Sequence, residues 1–219
     1  MTLRACVWVT LAALAICVVA MVAAVSVYPG GSWTELDASG FSLARNFWCD
    51  LLRSKAINGA ENGTGKWLAS VAFGALGIAL WPYWWVAASV LTGPRRTAVA
   101  LMGTLSAASL AALALLPSDR QPIWHGVVAL SGGLLGIGAA LLCVSAWLPS
   151  EPRFGMRRVS GGAALLLGLL NAALYVHVAY AGGQESMAQP VVQKLATLAL
   201  VAWMLSTIQR AWLRVRTAG

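Results

Sequence analysis

Charge is scarce in this chain. Of its 219 residues, 10% are Asp, Glu, Lys or Arg, and only seven are acidic. Soluble domains carry about 25% charged residues. With 59% hydrophobic residues and a mean hydropathy of +0.75, a globule of this size cannot hide its apolar surface from water. A soluble enzyme is excluded. So is a disordered chain, which needs low hydrophobicity and high charge. Histidine occurs twice and cysteine four times. There is no CxxC, HxxxH or HExxH spacing, no GxSxG and no Gly-rich phosphate loop. Only Cys49 falls outside an apolar span, so an outer intrachain disulfide is excluded.

What is present is long apolar segments. A bilayer core takes about 20 apolar residues in a helix, and six segments meet or approach this: 5–28, 67–91, 97–116, 123–148, 159–181 and 191–213. Lys194 sits near the start of the sixth, where a lysine snorkels to the interface. The first segment is longer than the 7–15-residue core of a cleaved signal, and a retained helix is expected. The fold class expected is all-α: one polytopic membrane domain, 1–219, of six transmembrane helices.

The net charge of +8 sets orientation. With the N-terminus in the cytoplasm, the cytoplasmic segments hold nine arginines against Glu151 alone, and the outer segments hold six basic residues against six acidic ones. The whole excess lies on one side, as the positive-inside rule expects. A multi-pass membrane protein with both termini cytoplasmic is expected. Trp67 and Trp124 are expected at the outer interface, and Trp84, Trp85, Trp147 and Trp212 near the inner one. No basic face on a folded module is present, so no nucleic acid is expected as a partner. Membrane lipids are.

Small residues recur every four positions, as Gly103, Ala107, Ala111 and as Gly132, Gly136, with Gly161 and Gly162 opening the fifth span. Such faces allow close helix approach. They serve packing within the bundle or a homo-oligomer face. Pro82 is expected to kink the second span. No repeat relates the two halves, so the inverted repeat of many transporters is not supported.

The one long connection, 29–66, is outer. Tyr28-Pro-Gly-Gly31 reads as a helix stop and turn. Phe41, Ala44, Phe47, Trp48, Leu51 and Leu52 recur at helical spacing, which predicts a short amphipathic interfacial helix over 41–52. Asn58-Gly59 and Asn62-Gly63 read as turns. Tyr28-Pro29-Gly30-Gly31, Asn46-Phe47-Trp48-Cys49-Asp50-Leu51 and Asn58-Gly59-Ala60-Glu61-Asn62 resemble a loop of uncharacterised bacterial six-helix membrane proteins. These look distantly similar to the DRAM/Sfk-like and related domain-of-unknown-function families. The resemblance covers about 35 residues; it implies the fold and carries no reaction.

Polar groups at membrane depth are candidate functional residues. His125 and His177 fall at similar depth, and the same layer takes Asp50, Asn46, Asp119 and Lys194, with Asn171 about 9 Å deeper at 1.5 Å per residue. Three readings compete. An outward-facing polar pocket binds a lipid headgroup, a small solute or a partner protein, or acts as a scaffold. Alternatively His125, His177 and Asp50 hold zinc with an open position, as in a lipid hydrolase. The alkaline ceramidase and adiponectin-receptor superfamily uses three histidines, which this chain lacks. The third reading is haem held by His125 and His177.

Overall fold

In hydrocarbon every backbone N–H and C=O must be satisfied within the segment, which leaves helices as the solution for these apolar runs. The computed structural model describes residues 1–147, 155–180 and 187–217. It contains α1 (Leu3–Ser26), α2 (Gly63–Ala88), α3 (Gly93–Leu113), α4 (Pro122–Trp147), α5 (Met156–Tyr180) and α6 (Ala188–Thr217). All six are long and apolar enough to cross a membrane, so the chain is an all-α, multi-pass membrane bundle. Each helix begins one to four residues before the expected span. Caps and prolines explain two of these starts. Thr2 accepts the Ala5 N–H at 3.2 Å, and Pro94 stands in the first turn of α3, where its missing N–H costs nothing. The span ends expected at 148 and 181, and the charges of Glu151, Arg153 and Glu185, lie outside the described residues, as do the side chains of Arg214 and Arg216.

Successive helices pack against each other, and α6 returns against α1 and α2. The second helix is therefore the enclosed one and α5 the most peripheral. The core of one half of the bundle is aromatic. Trp203 of α6 stands edge-on to Tyr83 and Trp84 of α2 at 5.8 and 6.0 Å, with Trp147 of α4 at 5.9 Å. Trp84 and Trp147 are thus core residues and not members of the interfacial belt that hydropathy suggested, while Trp85 is exposed. One residue is 100° around a helix, so adjacent tryptophans point to different surroundings. Gly103 supplies the hole: a Cβ there would lie 2.2 Å from Trp84 Cγ.

The small residues pack inside the chain. A Cβ on Gly77 would meet Ala111 and the Ala107 carbonyl, and Gly132 and Gly136 lie against Ser109 and Ser106. Ser106 donates to the Gly132 carbonyl at 2.7 Å, an interhelical bond of the kind worth about 0.6 kcal/mol in lipid. Pro82 lies within α2. Three residues before it, next to the Ile78 carbonyl that proline leaves without its helical donor, the Ala79 carbonyl accepts a 3.3 Å bond from Thr10 of α1.

Candidate capped mouth at one end of the bundle

The connection between α1 and α2 folds into a compact cap. Its opening turn requires glycine. Gly30 and Gly31 have φ of 140° and 82°, and a Cβ on either would lie 2.4 Å from backbone atoms of Ala38 or Asn58. With glycine there, β1 (Gly30–Ser32) pairs antiparallel with β2 (Glu35–Ser39), a hairpin the apolar spacing did not announce. The far end of the loop joins the same turn. Asn58 donates its N–H to the Gly30 carbonyl at 3.3 Å, and Ile57 donates to the Tyr28 hydroxyl at 3.1 Å.

The helix expected over 41–52 narrows to a five-residue 3-10 turn, Trp48–Leu52. The side chains responsible are Asn46 and Asp50. Asn46 Oδ1 accepts the Ser42 N–H at 2.8 Å, and its amide donates to the Gly31 carbonyl at 2.7 Å. Asp50 accepts from Phe47 N–H at 2.8 Å, from the Asn46 amide at 3.2 Å and from the Trp33 indole at 3.3 Å. These local bonds compete with a continuous helical ladder. Leu51 and Leu52 are then fully buried against Ala24, Ala69, Phe73 and Leu113. The segment plugs the ends of α1, α2 and α3 instead of lying flat on the interface. Asn62, preceding α2, donates to the Leu51 and Arg53 carbonyls at 3.1 and 3.0 Å and closes the cap.

Two other elements hold it down. Lys194 of α6 is buried, 8% exposed. It donates to the Asn46 carbonyl, and to the Pro190 carbonyl at 3.2 Å. Its ammonium lies 4.9 Å from the Trp48 ring centre and 5.5 Å from that of Phe41. Those two rings are stacked at 5.8 Å, so the cation sits against aromatic faces. One residue earlier, Gln193 accepts the Trp48 N–H at 2.9 Å. From the α3–α4 connection, Asp119 accepts the N–H groups of Ser54 and Lys55 at 2.9 and 3.2 Å.

The electrostatics of the two carboxylates differ. Burial pushes the Asp50 carboxyl above its ordinary range, against the bonds from Phe47, Asn46 and Trp33. Burial pushes Asp119 up as well, but the Ser54 and Lys55 amides more than offset it and hold it below that range. Desolvation disfavours the anion, and N–H donors favour it.

Of the seven residues picked from the sequence, Asn46, Asp50 and Lys194 come together. Asp119 holds the loop at a separate point. His125 is buried in the first turn of α4, its Nδ1 2.6 Å from the Leu116 carbonyl, which it ties to the end of α3. His177 is exposed on α5. Two residues before it, Tyr175 abuts Gly126 of α4, and two residues are 200° of helix rotation, so His177 lies nearly opposite the α4 contact. Asn171 is half-buried on α5, its Oδ1 without a hydrogen-bond partner among the described residues. No group of three His, Cys, Asp or Glu side chains suited to a metal occurs among the described residues. Sequence reasoning missed Trp33, Ser54 and Asn62 as members of the cap. The Asn-Gly at 62–63, read only as a turn, also marks the start of α2 and was the available signal for Asn62. No family model, curated protein or solved structure matches the chain.

Proposed function

We propose that the protein is a scaffold of the bacterial inner membrane, with both termini cytoplasmic, whose capped outer mouth binds a partner protein and carries out no chemistry. The observation behind this reading is where the polar groups of the mouth point. Asp50, Asn46, Lys194 and Asp119 each bond at least one backbone group of the cap, and Asp50 also takes the Asn46 amide and the Trp33 indole. A catalytic acid or base must be within reach of a substrate proton, whereas these groups fix a shape. The fixed shape presents apolar side chains to the outside: Trp33, Leu36 and Leu43 are 45, 61 and 60% exposed. The charge split of the loops supports the orientation, and the loop's resemblance to bacterial six-helix proteins supports the compartment. A photo-crosslinking residue at Leu36 or Leu43 in intact cells tests the reading. One adduct of defined mass is expected, lost when Asn46→Ala loosens the cap. Diffuse crosslinking, crosslinking to lipid alone, or an adduct indifferent to Asn46→Ala would overturn it.

A further inference from the structure

Two of the chain's four asparagines stand directly before glycine, as Asn58-Gly59 and Asn62-Gly63, and both pairs lie in the cap. The fold puts them in opposite circumstances. Asn62 is buried, 2% exposed, and its amide nitrogen donates to the Leu51 and Arg53 carbonyls. Asn58 and Gly59 are exposed at the tip of a tight loop. The Gly59 N–H closes that tip on the Ala56 carbonyl at 2.9 Å, and the Ala56 N–H closes it on the Ala60 carbonyl at 2.8 Å. Asn58 Oδ1 accepts the Ala60 N–H at 3.1 Å. Its Nδ2 lies beside Gly30 and makes no hydrogen bond among the described residues. Gly59 has φ of 86°, and a Cβ on it would meet nothing within 4 Å, so the space beside the 58–59 peptide is open.

We propose that Asn58 is a site of spontaneous backbone modification, at which the side-chain amide is lost and the chain is rerouted as isoaspartate, unpinning this end of the cap. The Gly59 nitrogen attacks Asn58 Cγ. The N–Cγ bond forms, the Cγ–Nδ2 bond breaks, and ammonia leaves with the proton of the Gly59 nitrogen. The product is a five-membered succinimide, which water opens at one of two C–N bonds. Breaking the new N–Cγ bond gives aspartate with the chain path unchanged. Breaking the bond to the main-chain carbonyl gives isoaspartate, with the chain running through Cβ and Cγ. No oxidant, reductant or enzyme takes part. Glycine on the attacking side permits ring closure, because it carries no Cβ to crowd the approach and tolerates the backbone rotation required. The Ala60 N–H favours the step, since it stabilises the charge that grows on Oδ1. The Gly59 bond to Ala56 opposes it and must open first, which an exposed loop tip does far more readily than a buried segment. Isoaspartate then adds one main-chain carbon between positions 58 and 59. The bonds that close the tip no longer fit, and the Asn58 N–H that the closed tip holds on the Gly30 carbonyl is released. The proposal rests on the geometry of the tip and stands whether or not the cap has a partner.

Ageing the purified full chain in detergent tests this. Peptides covering both Asn-Gly pairs are followed by mass spectrometry, and an isoaspartyl methyltransferase assay distinguishes the two products. The same chain unfolded in urea and dodecyl sulfate is the reference, in which both pairs should lose their amides at similar rates. In the folded chain, loss at Asn58 is expected at least tenfold faster than at Asn62, whose two hydrogen bonds must break first. It should be faster at pH 9 than at pH 7, because the attacking nitrogen sheds its proton. Amide exchange over residues 56–60 should accelerate in the aged chain. Asn58→Gln, whose longer side chain disfavours ring closure, should keep its amide and its exchange pattern on ageing. Freshly made Asn58→Asp keeps the chain path and an oxygen for the Ala60 N–H, and should exchange like the fresh chain. Retention of the Asn58 amide in the folded chain while the unfolded chain loses it overturns the site, as do equal rates at the two pairs in the folded chain. Amide loss without isoaspartate, isoaspartate with unchanged exchange, or the same acceleration in fresh Asn58→Asp overturns the unpinning by a rerouted chain.

Discussion

The Lys194 ammonium donates a hydrogen bond to the main-chain carbonyl of Asn46, which ties the sixth helix to the loop leaving the first, 148 positions away in sequence. The two aromatic rings against that ammonium, Phe41 and Trp48, come from the same loop. The bond is therefore a latch between cap and bundle. In Lys194→Met the Asn46 carbonyl loses its donor in a buried place, at a cost of about 1–3 kcal/mol. A lowered melting temperature in detergent is expected. Amide exchange should accelerate in residues 42–52 more than in α2. Uniform acceleration across the helices would mean that Lys194 supports the bundle at large and not the cap.

The acid limb of stability should belong to Asp119. Its folded pKa is lowered, so its contribution is present above the ordinary carboxylate value of about 3.9 and is lost as pH falls through the lowered folded value. Asp119→Asn should flatten that limb. Asp50 has the opposite sign. Its folded pKa is raised, so its contribution is complete below the ordinary value and is lost as pH rises through the raised one. Melting curves from pH 3 to 8 on both Asn variants separate the two. Parallel profiles would refute the assignment.

Glycines in the helices fall into two classes that mutation distinguishes. Gly103→Ala drives a methyl into Trp84 and should destabilise by about 1–3 kcal/mol, the cost of overpacking. Gly133→Ala and Gly162→Ala meet open space and should be neutral or stabilising by up to about 1 kcal/mol, since glycine is the poorer helix former. Equal effects at the three positions would remove the packing role given to Gly103.

The two histidines should respond differently. His125→Ala unties the Leu116 carbonyl at the end of α3, and a loss of about 0.5–1.5 kcal/mol is expected. His177 is exposed, and His177→Ala should leave the melting temperature unchanged. A metal or haem shared by both would make the two substitutions equally damaging and would appear in elemental analysis or as a Soret band.

Membrane sidedness is testable at described positions. In a cysteine-free background, Asp37→Cys on the hairpin should react with an impermeant thiol reagent in intact cells, and Arg96→Cys at the other end should not. Inverted labelling would reverse the proposed orientation and put the cap in the cytoplasm.

Hydropathy along the chain determined the six helices and their limits to within a few residues, because a run of apolar residues in lipid has no other way to satisfy its backbone. The small-residue spacing likewise announced close helix approach, and Gly103, Gly132 and Gly136 are where it occurs. Polar residues at membrane depth were legible as a set, and Asn46, Asp50 and Lys194 do meet. Their arrangement was not legible. Helical spacing over 41–52 spoke for a helix, but the Asn46 and Asp50 side chains bind the local backbone, and the buried Leu51 and Leu52 are held by α1 and α2. The matched depths of His125 and His177 said nothing of which way each faces, and Tyr175 on Gly126 turns His177 away from α4. Trp84 and Trp85 are indistinguishable by hydropathy, and only the hole at Gly103 sends one to the core and leaves the other outside. Composition acts on each residue through the solvent around it, so it is readable one segment at a time. Facing and partnership depend on contacts between segments far apart in the chain, and only the packed bundle decides those.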